Sequence, residues 1–139
     1  MSEDDPRARA ARQFIEALPH CRALGMRVDR AGEGVAVLSM PWAEQLVGDP
    51  RTGVIHGGAV SALMDTCGGA AVLCHPDAPA MTATIDLRID YMRAAKPRSR
   101  VTATATCFHV TRSAAFVRAE ASDEDGLVAV ANGAFTVGP

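Results

Sequence analysis

The alternation of apolar and polar positions predicts two helices and six strands. After Asp5-Pro6, a capping residue followed by proline at the first helical position, Ala11, Phe14, Ile15 and Leu18 recur at helical spacing until Pro19. This predicts a short amphipathic surface helix within residues 1–20. Residues 24–29 and 35–40 read as strands joined by a turn with Gly32 and Gly34, and Pro41 ends the second. Residues 42–51 form a loop. From Ala59 on, Val60, Ala62, Leu63, Met64, Ala70, Ala71, Val72 and Leu73 leave no continuous polar stripe, which predicts a helix over 57–74 that is buried all round. Beyond an exit marked by Pro76 and Pro79 the period falls to two. Met81, Ala83, Ile85, Leu87, Ile89 and Tyr91 alternate with Thr82, Thr84, Asp86, Arg88 and Asp90, so a strand with an apolar odd face and a polar even face is expected. Residues 100–110, 115–122 and 127–137 follow as strands, the last two joined by a turn at 123–126, and the continuous apolar run of the last predicts a central position. A sheet of this extent has a face to cover, and the apolar helix is the element able to cover it. The expected fold is α+β, an antiparallel sheet wrapped around a long central helix, with an N-terminal helix outside.

A length of 139 residues suits a single domain spanning 1–139. The net charge of −2 leaves no basic footprint for nucleic acid. The acidic start lacks the regions of a signal peptide and no apolar run approaches a bilayer span, so a cytoplasmic protein without membrane association is expected. Cys21, Cys67, Cys74 and Cys107 show no Cys-x-x-Cys pair; small buried thiols are expected, and neither disulfides nor a metal site.

Chemistry enters with Asp65, a carboxylate in the middle of the apolar helix. Burial there requires a partner or a shifted pKa. His56-Gly57-Gly58 opens the same helix, where unpaired backbone N–H groups point outward and glycine lets an anion approach. Nine residues separate His56 from Asp65, about 13 Å along a helix axis, so one carbonyl cannot touch both. If both features act on one group, they come from two copies of the chain, the helices antiparallel about a twofold axis. Gly68-Gly69 fits a place where another backbone passes close. The alternative is a structural aspartate bonded to a neighbouring backbone N–H.

The run from Gly53 through His56-Gly57-Gly58 to Leu63 and Asp65, followed by residues 85–91 and by Ala94-Ala95-Lys96-Pro97, resembles the PaaI-type branch of the hotdog-fold acyl-CoA thioesterases, named for phenylacetate degradation. The resemblance runs from about Val35 to the C-terminus. It implies hydrolysis of a fatty or aryl acyl-CoA to free acid and coenzyme A, with no cofactor beyond the coenzyme A of the substrate. Asp65 is then the catalytic nucleophile or general base, and the N–H of Gly57, with Gly58 or His56 beside it, holds the thioester oxygen from the partner subunit. A homodimer or homotetramer with shared sites follows. Thr84 falls where relatives place a hydroxyl that positions water or the aspartate, although alternation puts it on the polar face unless a bulge intervenes. Asp49 stands where relatives often carry Asn or Gln, to substitute for that amide or to repel the carboxylate. Arg93, Lys96, Arg98 and Arg112, in turns, are the cations available for coenzyme A phosphates. The alternatives are a hotdog dehydratase or hydratase, and an acyl-CoA-binding protein without hydrolytic activity.

Overall fold

The computed structural model describes residues 5–77 and 80–138; the start at Met1 to Asp4, Pro79 of the helix exit, and Pro139 lie outside them. Helix α1 (Pro6–Ala17) begins as the sequence predicts, with the Asp5 side chain accepting from the Arg7 N–H. The N-terminal helix is not one piece. Leu18 is extended, as a residue before proline must be, and Pro19 opens a second helix, α2 (Pro19–Leu24), which Gly25 closes in the left-handed conformation at φ 73°. Strand β1 is therefore Arg27–Gly32 rather than 24–29. Strand β2 (Val35–Met40) forms where expected.

The loop after Pro41 carries a 3₁₀ turn, Glu44–Leu46, and a ribbon of β3 (Val47–Asp49) and β4 (Val54–Ile55) leading into the long helix α3 (Gly57–Leu73). Then come β5 (Thr84–Tyr91), β6 (Val101–Val110), β7 (Ala114–Asp123) and β8 (Gly126–Thr136). The main sheet is antiparallel in the order β1-β2-β6-β7-β8-β5. Strand β8 thus has a neighbour on each side but lies next to the edge strand β5, not at the centre. The sheet wraps α3 in the hotdog arrangement. Leu63, Met64, Cys67, Ala70 and Ala71 of α3 are fully buried, as are Leu38, Ala103, Ala105 and Ala129 of the sheet. Alanine at so many facing positions lets helix and sheet approach closely, and each buried leucine contributes about 1.5–3 kcal/mol.

The helix is not buried all round within one chain. His56, Gly57 and Gly58 are exposed, and Ser61, Ala62, Asp65, Thr66, Gly69 and Leu73 are half-buried along one stripe, because the sheet covers only the opposite side. Strand β5 departs from the expected pattern in the same way: it begins at Thr84 and not at Met81, and Ile85 and Tyr91 of the strand, like Met81 before it, are exposed at the sheet edge.

The two helix glycines face different surroundings. A Cβ on Gly68 would stand 2.7 Å from Cζ of Phe135, so an in-chain aromatic ring, not a second backbone, requires glycine there. Around Gly69 the nearest atoms would be 3.9 and 4.0 Å away. In denaturant titrations Gly68→Ala should therefore lose about 1–3 kcal/mol through overpacking. Gly69→Ala should gain up to about 1 kcal/mol of helix propensity. Equal losses at both positions would place a second backbone against Gly69.

Candidate active site

The segment that delivers the start of α3 is pinned from several sides. Trp42 donates its indole N–H to the Gly53 carbonyl at 2.7 Å, and the His56 N–H donates to the Leu46 carbonyl at 2.8 Å. Gly48 passes so close to His56 that a Cβ there would lie 2.7 Å from the His56 Cα. His56 caps the helix: its Nδ1 accepts from the Gly58 N–H at 2.8 Å, and its carbonyl accepts from the Ala59 N–H at 2.9 Å. Among the described residues, then, the N–H groups of His56 and Gly58 are engaged, and the Gly57 N–H meets no acceptor. Of the three donors considered from sequence, Gly57 alone is uncommitted. The Tyr91 hydroxyl donates to the Gly57 carbonyl at 2.8 Å and so helps to hold this first residue of the helix. Tyr91 was missed as a site residue; its signal was a hydroxyl on the apolar, helix-facing set of its strand.

Asp65 lies two turns further along, on the half-exposed stripe, and its Oδ1 accepts from the Thr84 hydroxyl at 2.6 Å. A bulge between Thr84 and Asp86 explains how Thr84 gets there. Tyr91, Ile89 and Leu87 pair with Ala129, Ala131 and Gly133 and share the helix-facing side with them; Ile85 is the extra residue, and Thr84 pairs with the buried Phe135. The extra residue changes the parity, so an even-numbered threonine reaches the helix side. Ser61 donates to the Gly58 carbonyl at 3.0 Å within its own helix. The four cysteines are free and buried, and burial pushes the Cys67 thiol up to about 12, which leaves it a small apolar side chain. Among the described residues no three His, Cys, Asp or Glu side chains gather as metal ligands do.

The residues expected to bind substrate are placed elsewhere or already paired. Asp49 accepts from the Arg51 N–H at 3.0 Å and pairs with the Arg51 guanidinium at 3.4 Å; these bonds hold its carboxyl below the usual range and tie it to its own turn. Arg93 makes a two-pronged pair with Asp123 at 2.8 and 2.6 Å, and donates to the Gly126 carbonyl. Lys96 pairs with Glu124 at 2.6 Å. Both cations therefore close the β7–β8 turn instead of standing free. Arg112 is exposed in the β6–β7 turn at the other end of the strands. Arg98 lies over the Trp42 ring at 5.3 Å, next to the loop that carries Gly53.

The Asp123 side chain is fully buried. The Arg93 guanidinium, helped by the backbone N–H groups of Lys96 and Asp125, holds its carboxyl well below the usual carboxylate range against the effect of burial. A depressed folded-state pKa stabilises above the unfolded value, near 3.9, and that stability is lost as pH falls through the folded value. Asp123→Asn should accordingly lower the melting temperature by several degrees at neutral pH. The gap to wild type should narrow in melts run at pH values below about 4.

Residues 52–130 match the family model described as thioesterase superfamily. The chain is 29% identical, over 90% of its length and 89% of the relative's, to the medium/long-chain acyl-CoA thioesterase YigI of Salmonella typhimurium. A crystal structure of a Pseudomonas aeruginosa protein is 39% identical, with 94% of this chain and 98% of that one covered and a TM-score of 0.83. A mutant of the phenylacetic acid degradation protein PaaI from Thermus thermophilus is 28% identical, covering 86% and 98%, with a TM-score of 0.76.

Proposed function

The chain belongs to the thioesterase superfamily, and from that membership we propose that it hydrolyses acyl-CoA thioesters to free acid and coenzyme A, each site being shared by two copies of the chain. The observation that carries this is the separation within one chain between the Asp65 carboxylate, held by Thr84, and the uncommitted Gly57 N–H. Eight residues of α-helix put them about 12 Å apart along the axis. A second α3, antiparallel and lying against the half-exposed stripe, brings the Gly57 of one copy to the Asp65 of the other.

In this site the Gly57 N–H and the helix dipole stabilise the negative charge that develops on the thioester oxygen. Thr84 occupies Oδ1 of Asp65, leaving Oδ2 uncommitted among the described residues. Asp65 takes a proton from water as the water oxygen attacks the carbonyl carbon, or attacks that carbon itself to give an anhydride that water then opens. In either route the C–S bond breaks, the sulfur leaves as the coenzyme A thiolate and is protonated, and the carboxylic acid is released. Arg98, unpaired with any carboxylate among the described residues, replaces Arg93 and Lys96 as the cation for the phosphates of coenzyme A. YigI and PaaI point to medium or long alkyl and to aryl acyl groups respectively. Among the described residues no helix is long and apolar enough to cross a membrane; we place the enzyme in the cytoplasm, as a homodimer or a pair of dimers.

Complementation tests the shared site. Asp65→Asn and Gly57→Pro chains, each inactive alone, should recover roughly a quarter of wild-type thiol release when unfolded and refolded together in equal amounts, because half the dimers then hold one intact site. A fully active monomer, or no recovery in mixed dimers verified by mass, sinks the proposal.

A further inference from the structure

Helix α3 opens on two glycines, whose backbone no side chain helps to fix, and its first N–H is the donor on which the proposed chemistry depends. A donor stabilises developing charge only as far as it is aimed beforehand. The aim has to come from outside the glycines. The Gly57–Gly58 peptide is held at both of its polar ends: the Tyr91 hydroxyl donates to the Gly57 carbonyl at 2.8 Å, and His56 Nδ1 accepts from the Gly58 N–H at 2.8 Å. The preceding peptide is held at its carbonyl, where His56 accepts from the Ala59 N–H at 2.9 Å. With the planes on both sides of Gly57 fixed, its φ and ψ are fixed too, and with them the direction of the Gly57 N–H.

Of these ties, two come from the neighbouring His56 and one from a distant strand. Tyr91 ends β5 and pairs with Ala129 of β8, which is fully buried. The N–H groups of Met92 and Arg93, the next two residues, both donate to the Val128 carbonyl, at 2.8 and 3.4 Å. The Arg93 guanidinium then grips the Asp123 carboxylate and the Gly126 carbonyl of the β7–β8 turn. The tyrosine thus stands on a strand end fastened independently of α3, and the rigid partner orients the pliant one. Its ring also lies along Gly57, with Cε1 and Cζ 3.7 Å from the place a Cβ would take. Tyr91 is 48% exposed, and a hydroxyl that would otherwise bond water gains little stability from a carbonyl. What the bond supplies is direction.

We infer that Tyr91 is a positioning residue of the site: its hydroxyl locks the Gly57–Gly58 peptide so that the Gly57 N–H is already aimed when the thioester oxygen arrives. The inference rests on the proposed role of Gly57 as the oxyanion donor. The hydroxyl touches neither substrate nor reacting atoms and acts only through the backbone. Arg93 and Asp123, by fastening the strand end, belong to the same support.

A double-mutant cycle tests it, with thiol release measured from acetyl-, phenylacetyl- and decanoyl-CoA by wild type, Tyr91→Phe, Gly57→Pro and the double variant. Tyr91→Phe keeps the ring and loses only the hydroxyl. It should lower kcat by about fivefold, the weight of one hydrogen bond, with KM changed by less than about twofold and the melting temperature close to wild type. In Gly57→Pro the carbonyl that Tyr91 bonds remains but there is no N–H left to aim, so adding Tyr91→Phe should cost less than about twofold. A tyrosine that only braces the fold would cost the same factor on both backgrounds. Amide exchange gives a readout without turnover: in Tyr91→Phe the Gly58 N–H should exchange about fivefold faster, while Leu63 and Met64 in the buried part of α3 keep their rates. Equal costs on both backgrounds, an unchanged kcat in Tyr91→Phe, or unchanged Gly58 exchange overturns the inference. If wild type cleaves no thioester, the proposed function fails, while the exchange measurement still decides whether Tyr91 holds the helix start.

Discussion

Asp65→Asn is expected to cut kcat/KM for acyl-CoA by about 10²–10⁴-fold, the usual contribution of a positioned acid–base group and a minimum if the carboxylate is the nucleophile. Asparagine has the same shape, and its amide oxygen can still accept the Thr84 hydroxyl hydrogen bond seen at 2.6 Å. What it lacks is the negative charge that takes a proton or attacks carbon. Asp65 makes no ion pair among the described residues and is only half-buried, so the fold does not depend on its charge. The melting temperature should stay close to wild type, as for substitutions outside the core. Thiol release from several acyl-CoAs, with a thermal melt of the same sample, checks this. A variant that melts normally and still turns over within a few-fold of wild type would remove Asp65 from the chemistry.

Gly57→Pro should be nearly as damaging, with a loss of about 10²–10³-fold in kcat from removal of one oxyanion donor. The substitution deletes one N–H at a position where the backbone tolerates proline. Gly57 is the first residue of α3, and its N–H has no partner in the helix to lose. The preceding His56 is already at φ −58°, ψ 135°, the extended conformation a residue before proline requires. The Tyr91 hydroxyl bonds the Gly57 carbonyl, which proline keeps. Helix content should be unchanged by circular dichroism while turnover collapses. Gly57→Ala is the control: its Cβ would meet the Tyr91 ring at an ordinary 3.7 Å and its N–H remains, so most activity should survive. Equal losses in both variants would indicate crowding at the helix start and not a missing donor.

Much of this was legible in the residues. The all-apolar run of α3, the proline and glycine signals around it and the period-two strands located the central helix and the sheet, because each reflects a local periodicity that burial on one side imposes. Asp65 and Gly57 stood out for the same reason: a carboxylate within an apolar run and a glycine at a helix start are departures from a pattern. Thr84 shows where local pattern stops. Alternation sends it outward, and only its pairing with Phe135 across a bulge, with Ile85 left over, turns it toward Asp65. Arg93 and Lys96 show the converse, since their charge suggested a phosphate site while Asp123 and Glu124, some 30 residues away in the chain, had already engaged them.

By itself the sequence determined the element types, the wrapped helix, the family resemblance and the two groups best suited to thioester chemistry, since these depend on side-chain character and on spacing within single elements. The tertiary structure alone decided which backbone donor is uncommitted, how a threonine from an edge strand reaches a helix carboxylate, and which cations are already paired. Those outcomes depend on register and on contacts between residues far apart in the chain, and the free energy that sets them belongs to the packed whole rather than to any local run of residues.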